Sequence, residues 1–343
     1  MKALVVGLGS MGKRRIRNIL HLNEVSGSGI DDIIGFDVSE SKRKESEKEY
    51  GIRTVSSLED GLKEKPDAMV ISTPPHLHLD YMKAAVREGI PYFVELSILS
   101  NDLKEIQAIQ NGKEIISAPS FTMRHHESLH KIRQLVSEGN IGKNVTFSYH
   151  SGRYLPDWHP WEDYRKSFLG RTDTGGCREL LALELTWLEW VFGNVKSVYA
   201  NKSKISQLEI ESDVYDISFE FENGNSGQMK VDVVTKDPQK WLRVIGEKGN
   251  IEWDRKRDAV MLYDGSSKKW EEFKESPGIR AKKPDGTFYS NKEDMYIAEM
   301  NDFFNAVKGK QPYPITIQDD VRRLNILDLI EESAKSGSKV YLK

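Results

Sequence analysis

A short apolar run followed by three spaced glycines opens the chain and limits its fold more than any other feature. Residues 4–6 are too few for a helix and fit a buried strand. Gly7, Gly9 and Gly12 follow in the order G-x-G-x-x-G. In this pattern the first glycine permits a tight turn, the second leaves room for a phosphate, and the third lets a helix approach the strand. We therefore predict a strand–turn–helix whose helix N-terminus binds the pyrophosphate of a dinucleotide.

A second predicted strand, residues 32–37, places an acidic residue where the ribose of a dinucleotide would bind. Asp37 ends this strand and is expected to accept hydrogen bonds from the ribose hydroxyls. Its spacing from the glycines exceeds the usual ~20 residues, which we attribute to an added loop at 23–29. A carboxylate repels a 2′-phosphate and so favours NAD over NADP, although Lys42 and Arg43 weaken that preference. The competing interpretation is a glycine-rich turn in another kind of α/β protein.

Length and charge restrict the class of protein. The chain has 343 residues, enough for two domains of roughly 150 residues each. Its 50 basic and 53 acidic residues give a net charge of −3, which does not predict a nucleic-acid partner. Cys177 is the only cysteine, so an internal disulfide and a cysteine-based zinc site are excluded. No apolar run approaches the ~18 residues of a membrane helix, and the chain enters a strand at once. We expect a cytoplasmic protein without a signal peptide or membrane partner.

The pattern of predicted elements changes near residue 119. Before it, strands and helices alternate, with a last strand at 114–117, which predicts a parallel sheet. After it, strands such as 214–221 alternate apolar and polar residues, which is typical of an antiparallel sheet with one packed face. The predicted fold is an α/β N-terminal Rossmann dinucleotide-binding domain (1–118) plus an α+β C-terminal domain (119–343). The second domain, with a large, mostly antiparallel open sheet, is expected to bind substrate and to form oligomers.

Two connecting segments are predicted between these elements. Residues 154–170 are rich in Trp, Pro and Asp and are expected to form an ordered loop. Residues 276–290 are polar, contain Gly and Pro, and are expected to form a mobile loop.

Several motifs together resemble the glucose–fructose oxidoreductase / inositol dehydrogenase (Gfo/Idh/MocA) family over nearly the whole chain. Beyond the glycine motif they are Ser72-Thr73-Pro74-Pro75 with His78, residues 89–95, Arg124, residues 139–142, residues 175–193 and residues 312–327. Residues 154–165 resemble family members from bacterial surface-sugar pathways. The resemblance implies NAD or NADP in the first domain and a sugar or cyclitol against the sheet of the second. It also implies hydride transfer between a substrate carbon and the nicotinamide.

The cofactor contacts follow from the motif and the resemblance. The glycine motif is expected to line the pyrophosphate, and the Ser-Thr-Pro-Pro segment the nicotinamide half. Glu95 ends a strand at the edge of the sheet where ligands bind, either as a site residue or as a structural carboxylate. The expected cofactor-binding residues are Gly7, Gly9, Ser10, Met11, Gly12, Asp37, Thr73, Pro74, His78 and Glu95.

The chain departs from the family where proton transfer is expected. Family members use a lysine in Glu-Lys-Pro, whereas this chain has Glu95-Leu96-Ser97. They also use a histidine and often an aspartate on one helix, where this chain has Leu183 and Thr186. Because leucine carries no proton and threonine is a poor base, the usual acid–base set is absent.

A glutamate on the same helix is our first candidate for a replacement base. Glu179 shares a helical face with Leu183 and Thr186. The alternative is that Glu179 is a surface or salt-bridged carboxylate. Glu184 and Glu189 lie on other faces and are expected to be solvated.

Residues 154–165 carry the second group of candidates. His159 is a catalytic candidate, or alternatively makes a structural hydrogen bond. Trp158 and Trp161 have flat apolar faces suited to stacking on a sugar or capping a nicotinamide, or they pack the loop. Arg178 is a ligand for a substrate anion or pairs with a nearby glutamate. The catalytic candidates are therefore Glu179, His159 and Glu95. The residues expected to bind substrate are Arg124, Tyr154, Trp158, Trp161, Tyr164, Arg165 and Arg178.

A histidine pair on one helix is the only pattern that suggests a metal. His126 and His130 have the i, i+4 spacing of metal ligands, but no acidic ligand follows them, so no metal is expected.

The motifs and their departures leave three hypotheses for function. The first is an NAD(P)-dependent oxidoreductase acting on a sugar or nucleotide-sugar hydroxyl or carbonyl, with an altered proton-transfer group. The second is a catalytically silent relative that binds cofactor or sugar as a regulatory or partner subunit. The third is internal redox cycling with tightly held NAD. We also expect a homodimer or homotetramer built through the open sheet.

Overall fold

The chain forms two compact units that do not divide it at a single point. The computed structural model describes residues 1–110, 112–160, 162–281, 287–288 and 292–342. One unit comprises Met1–His125 with Gly278–Val321, and the other His126–Pro277 with Arg322–Lys343. The first compact unit therefore extends beyond residue 118 and includes a second segment that begins after residue 277, whereas the boundary between a dinucleotide-binding and a substrate-binding domain stays a prediction. This second segment contributes Met300, Phe303 and Phe304, which are buried in the hydrophobic core of the first unit.

The first unit is built on a six-stranded parallel sheet, as predicted. The strand order is β3-β2-β1-β4-β5-β6, and each described pairing is parallel. Its strands are β1 (Lys2–Val6), β2 (Asp32–Phe36), β3 (Arg53–Val55), β4 (Ala68–Ile71), β5 (Tyr92–Val94) and β6 (Ser117–Pro119). Its helices are α1 (Ser10–Ser26), α2 (Glu40–Tyr50), α3 (Leu58–Lys63), α4 (His78–Glu88), α5 (Ser100–Gln110) and α9 (Asp294–Val307), with 3₁₀ turns at Pro75–Leu77 and Thr122–His125.

Two predicted boundaries in this unit are corrected. The loop expected at 23–29 begins only after Ser26, because α1 continues for another turn and ends at Gly27 in a left-handed conformation (φ +56°). The longer spacing between the glycines and Asp37 therefore comes mostly from a longer helix. The strand expected at 114–117 lies at Ser117–Pro119, where it pairs with β5.

The second unit contains a nine-stranded, mostly antiparallel sheet. Its order is β14-β13-β12-β11-β7-β10-β9-β8-β15, and only β7 and β10 pair in parallel among the described strands. The strands are β7 (Val145–Tyr154), β8 (Val195–Ser203), β9 (Val214–Phe221), β10 (Ser226–Asp232), β11 (Val234–Gly246), β12 (Gly249–Asp254), β13 (Ala259–Asp264), β14 (Lys269–Lys274) and β15 (Val340–Tyr341). The helices are α6 (Glu127–Ser137), α7 (Leu155–Trp158) and α8 (Gly176–Phe192), while α10 (Ile317–Ser336) starts in the first unit's residues. The predicted fold class is confirmed, although β8, β14 and β15 were not predicted.

Helix α8 covers one face of this sheet. Phe192 stacks on Phe147 with ring centroids 4.1 Å apart, and Trp187 meets Tyr149 edge-on at 5.1 Å. Alternate residues on β9 and β10 leave polar side chains such as Asp216 exposed on the other face. Period-two alternation in the sequence therefore gives one packed and one open face.

The two predicted loops differ in how they are formed. Residues 154–170 are ordered mainly as short helical turns, namely α7 and 3₁₀ turns at Tyr164–Lys166 and Phe168–Gly170. Much of the second loop, residues 282–286 and 289–290, lies outside the described residues. Among the helices described, none combines the length and apolarity that crossing a membrane requires.

Candidate functional site

The glycine motif forms a cradle between β1 and α1. Gly7 has φ +90°, a conformation that L side chains rarely adopt, and a Cβ on it would meet the Ser72 carbonyl oxygen at 2.8 Å. A Cβ on Gly12 would lie 1.8 Å from the Gly7 carbonyl oxygen. A Cβ on Gly9, by contrast, would have nothing within 4 Å among the described residues. The first and third glycines therefore permit close backbone packing, and the second leaves open space at the start of α1, next to Ser10 and Met11.

The end of β4 adds buried polar groups beside this cradle. The hydroxyls of Ser72 and Thr73 are buried and have no hydrogen-bond partner among the described residues. His78 donates from Nε2 to the Thr73 carbonyl oxygen at 2.8 Å, while its Nδ1 is buried without a partner in the described structure. Burial lowers the pKa of His78 to about 4, so the ring is neutral at physiological pH. These two hydroxyls and the neutral imidazole can hydrogen-bond a polar cofactor without carrying charge, and Pro74 follows Thr73 in the same segment.

Asp37 lies at the end of β2, where the sequence places it. Its carboxylate accepts hydrogen bonds from the backbone N–H of Leu8 and of Ser39, both at 2.8 Å. Lys42 lies 3.9 Å from the same carboxylate, and Arg43 donates to the Asp37 carbonyl oxygen at 2.7 Å. The carboxylate is therefore fixed against the glycine turn, and the cations of Lys42 and Arg43 lie beside Asp37.

Glu95 belongs to a buried ion-pair network. Arg15 on α1 is fully buried and donates to both Glu95 oxygens, at 2.6 and 3.1 Å. It also lies 2.9 Å from Glu299 of α9, which accepts hydrogen bonds from the Phe121 N–H and the Thr122 hydroxyl. This geometry favours a structural role for Glu95, and we do not retain it as a base. The network was not predicted, because nothing in the local sequence around Glu299 or Arg15 indicates burial.

Glu179 on helix α8 is a carboxyl group with a raised pKa. Glu179 is half-buried, and its Oε2 is buried without a hydrogen-bond partner among the described residues. Burial raises the pKa of Glu179 to about 8, although the Arg153 charge opposes this shift. Leu183 is half-buried, and the Thr186 hydroxyl donates to the Leu183 carbonyl oxygen at 2.6 Å. Neither of those two side chains can replace an acid–base group.

The expectation that Glu184 and Glu189 are solvated is wrong. Glu184 is fully buried and lies 2.7 Å from the Lys240 ammonium of β11. Glu189 is half-buried and forms a bidentate pair with Arg322, both distances 2.9 Å. Helical spacing placed both glutamates away from Glu179, but each meets a cation from a distant part of the chain.

The Glu184 carboxylate is saturated with donors. Oε2 accepts from the Tyr149 hydroxyl at 2.5 Å and from Trp187 Nε1 at 3.0 Å, and Oε1 accepts from the Ser151 hydroxyl at 3.0 Å. Burial alone would raise the pKa of Glu184, but Lys240 and these hydrogen bonds hold it below its usual value. Glu184 is therefore an ionised anchor between α8, β7 and β11.

The tryptophan-rich segment contributes aromatic and polar side chains, most of which already have partners. Arg153 stacks on the Trp158 ring with its guanidinium carbon 4.4 Å from the ring centroid. His159 Nδ1 lies 2.8 Å from the Glu162 carboxylate, which favours the structural interpretation. The Tyr164 hydroxyl accepts from the backbone N–H of Glu209 at 2.9 Å. Trp161 lies outside the described residues.

The predicted cations have structural partners. Arg165 pairs with Asp163 at 2.8 Å and with Glu209 at 2.9 Å. Arg178 pairs with Glu331 at 3.0 Å and with Asp328 at 3.4 Å. Its partners are therefore on α10 and not the helix glutamates that the sequence suggested. Two further predicted residues meet side chains of their own unit: Arg124 covers the Phe121 ring and Tyr154 lies under Lys236.

The histidine pair does not converge. His126 packs edge-on against Trp253 at 5.5 Å, and His130 against Trp190 at 4.9 Å. Across the described residues, no group of three or more His, Cys, Asp or Glu side chains is arranged to hold a metal ion.

Comparison with known proteins decides the family. Residues 1–117 match "Oxidoreductase family, NAD-binding Rossmann fold", and residues 129–252 match "GFO/IDH/MocA C-terminal domain". The chain belongs to the Gfo/Idh/MocA oxidoreductase family. Its first unit is an NAD-binding Rossmann domain, and the open glycine cradle with its unpartnered hydroxyls fits that cofactor.

Relatives of this Gfo/Idh/MocA protein extend over its whole length. It is 24% identical, over an alignment of 354 positions, to the uncharacterized oxidoreductase YrbE of Bacillus subtilis (strain 168), covering 99% of this chain and 96% of the relative. The fold is similar to that of levoglucosan dehydrogenase in complex with NADH (TM-score 0.83, 17% identity, covering 100% and 99% of the chains). It is also similar to the WlbA dehydrogenase from Bordetella pertussis in complex with NADH and UDP-GlcNAcA (TM-score 0.77, 18% identity, covering 100% and 98%).

Proposed function

We propose that this protein is an NAD(P)-dependent oxidoreductase acting on a hydroxyl or carbonyl of a sugar or nucleotide-sugar, with Glu179 as its proton-transfer group. The observation that carries the proposal is the buried, unpartnered Oε2 of Glu179 within the described structure. A carboxyl group with a pKa of about 8 can exchange a proton near neutral pH. Such a group replaces the acid–base set that the family usually supplies.

The proposed oxidation of a substrate hydroxyl releases one proton and one hydride. In the oxidising direction the substrate hydroxyl gives its proton to the Glu179 carboxylate, and the carbon–oxygen single bond becomes a carbonyl. NAD⁺ held by the glycine cradle of Gly7, Gly9 and Gly12 would supply the acceptor for the hydride that leaves the same carbon. Arg153, beside Glu179, favours the ionised base, and Trp158 offers a flat surface for a sugar ring.

The names of the relatives support the substrate class. One fold relative is a levoglucosan dehydrogenase, and another was crystallised with UDP-GlcNAcA. Asp37 favours NAD, and Lys42 and Arg43 are the groups that would allow NADP. Glu179, whose Oε2 has no partner among the described residues, and Trp158, which Arg153 covers on one side, are the two residues that we assign to substrate contact.

The first test is an equilibrium titration of the purified protein with NADH and NADPH, followed by fluorescence. The protein as purified is also checked for bound nucleotide. Micromolar binding of NADH is expected, and Glu179→Gln should bind it equally while losing at least 100-fold in turnover. Glu189→Gln, which removes a carboxylate from the same helix, is the matched control. Full turnover in Glu179→Gln would remove the assigned base.

A catalytically silent regulatory or partner subunit is the second candidate function. Leu96, Leu183 and Thr186 favour it, because none of them can transfer a proton at neutral pH. It requires NADH or sugar binding with no hydride exchange across a broad sugar and nucleotide-sugar panel. Robust turnover of any panel member would exclude it, whereas a nucleotide that co-purifies and is never net reduced would favour internal redox cycling.

We also propose that the protein is a cytoplasmic homodimer or homotetramer built through the open sheet face. The sheet exposes large apolar side chains, including Tyr199, Ile245 and Trp270, which a partner copy would cover. Light scattering at micromolar concentration should give at least twice the 39.2 kDa of one chain. A monomer would contradict the proposal, and fractionation of cells tests the location.

A further inference from the structure

The buried ion-pair network at the end of β5 contains more negative than positive charge. Arg15 is fully buried and donates to both Glu95 oxygens, at 2.6 and 3.1 Å. Its Nη2 also lies 2.9 Å from Oε2 of the fully buried Glu299. Within the described part of the chain, no second cation pairs with either carboxylate. One arginine therefore faces two carboxylates.

Hydrogen bonds support the ionised form of Glu299. Its Oε1 accepts from the Phe121 N–H at 2.7 Å, and its Oε2 accepts from the Thr122 hydroxyl at 2.6 Å and lies beside Arg15. Burial raises the pKa of Glu299, the charge of Arg15 opposes this shift, and the charge of Glu95 adds to it. Because each oxygen faces an N–H group that can only donate, the site fits a carboxylate better than a carboxylic acid.

Two neighbouring side chains experience this negative charge. Burial raises the pKa of Tyr313 well above its usual value, and the charge of Glu299 raises it further. The Tyr313 hydroxyl donates to the Pro119 carbonyl oxygen at 3.1 Å, at the end of β6. Glu95 likewise raises the pKa of His78, although the larger effect of burial lowers it. The charge of Glu95 therefore acts on the segment that follows β4.

The strand order places the nicotinamide half of a dinucleotide beside Glu95. In a sheet of this order, the two halves of the dinucleotide lie on opposite sides of the switch between β1 and β4. Asp37 ends β2 and marks the adenosine side, so the ends of β4 and β5 belong to the nicotinamide side. The Glu95 N–H donates to the Ile71 carbonyl oxygen at 3.0 Å, which joins these two strand ends. The Glu95 side chain is 12% exposed and so reaches the surface at this edge.

We infer that this network biases the cofactor site towards the oxidised form, NAD⁺, because the nicotinamide ring carries a positive charge in NAD⁺ and none in NADH. The inference rests on the proposed function and assigns its cofactor site a preference between redox states. Leu96 is part of the reason. The family resemblance implies a lysine at this position, whose positive charge next to Glu95 would offset the excess carboxylate. With leucine there, the chain lacks that offsetting charge.

The competing explanation is that the network only joins α1, β5 and α9. In that case removing the Glu95 charge weakens the binding of both nucleotides equally, and a cation at position 96 leaves the ratio of their dissociation constants unchanged. A charge effect instead changes that ratio, because NAD⁺ and NADH differ by one charge on the ring.

The experiment measures the dissociation constants of NAD⁺ and NADH by titration calorimetry on the full chain, after bound nucleotide has been removed. Glu95→Gln neutralises one carboxylate. Leu96→Lys adds a positive charge while keeping both partners of Arg15, and so covers the case that Glu95→Gln fails to fold. Leu96→Met is the matched control at position 96. Glu105→Gln is the control for removing a negative charge elsewhere in the first unit, because Glu105 is exposed and pairs with Lys83.

Glu95→Gln and Leu96→Lys should each shift the ratio of the two dissociation constants about tenfold towards NADH, because charges interact strongly where water is excluded. A tenfold shift corresponds to about 30 mV in the midpoint potential of the bound cofactor. Leu96→Met and Glu105→Gln should keep the wild-type ratio. An unchanged ratio in Leu96→Lys or in folded Glu95→Gln, or an equal shift in Glu105→Gln, overturns the inference. Failure of both nucleotides to bind the wild type would instead refute the proposed function on which it rests.

Discussion

Replacing Glu179 with glutamine should change how the free energy of unfolding depends on pH. The pKa of Glu179 is raised from its usual 4.5 to about 8, chiefly by burial. Between these values the folded protein keeps a proton that the unfolded chain has released. Stability therefore falls as pH rises, by at most about 1.4 kcal/mol per pH unit for one proton. The glutamine variant has no proton to lose at this position and lacks this dependence.

The size of the effect follows from the two pKa values. Between about pH 5.5 and pH 7.5, a full shift to pKa 8 would cost the wild type about 2.5 kcal/mol relative to the variant. Solvent screening of a half-buried carboxyl group reduces this, so we expect a relative change of about 1 to 2.5 kcal/mol. His78 has a lowered pKa and contributes with the opposite sign, but it is present in both proteins and cancels.

The assay is urea unfolding of wild type and Glu179→Gln at both pH values, followed by tryptophan fluorescence. Glu189→Gln serves as the control for removing a carboxylate from the same helix. The glutamine variant should gain stability relative to wild type as pH rises. Parallel pH profiles for the two proteins would show that Glu179 is already ionised at pH 5.5. They would refute the argument from burial and, with it, the reason for choosing Glu179 as the base.

Three further predictions concern the first unit. Gly12→Ala should lose NADH binding and stability, because its Cβ would lie 1.8 Å from a backbone oxygen. Gly9→Ala should keep its thermal midpoint, because its Cβ has open space among the described residues, and should lose about tenfold in NADH affinity, because that space is the one left for a phosphate. Equal NADH affinity in the two variants would contradict the binding of NADH at the glycine cradle. Asp37→Asn should shift the NADH-to-NADPH affinity ratio about tenfold towards NADPH, or about 1.4 kcal/mol, in paired fluorescence titrations, and an unchanged ratio would exclude Asp37 as the discriminating group. Glu299→Gln should destabilise the protein by about 3 to 5 kcal/mol in urea unfolding, because it leaves a fully buried arginine short of a counter-charge; a loss below about 1 kcal/mol would count against this.

Local patterns predicted the elements and the cradle because their causes are local. The glycine spacing requires close backbone contacts within twelve residues, and the structure has them at Gly7 and Gly12. Period-two alternation likewise predicted the packed face of β9 and β10. The boundary of the first unit was not predictable in this way. The unit includes contacts between distant segments, such as the hydrogen bond that Glu299 accepts from the Phe121 N–H 178 residues earlier in the chain.

In the candidate site too, contacts between distant parts of the chain could not be predicted from the local sequence. Helical spacing correctly separated Glu179 from Glu184, because faces of a helix follow from position alone. Which face is solvated depends on what packs against it. Lys240 and Tyr149 come from β11 and β7, and no property of the α8 sequence indicates that they meet Glu184. For this reason Glu184, which we expected to be solvated, is instead buried and contacts β7 and β11.

The difference between Glu179 and Glu184 bears on whether the protein is catalytically silent. Both lie on α8, five residues apart, yet Glu184 has four donors and Glu179 Oε2 has none among the described residues. A buried carboxyl group without partners destabilises a fold, and a purely structural helix would be more stable with glutamine or an apolar residue there. Groups of this kind cluster at sites where proton transfer needs a shifted pKa. A silent relative has no such use for Glu179, so the presence of this carboxyl group beside Arg153 supports the proposal of an active enzyme, although the chain lacks the lysine and histidine that the family resemblance implies.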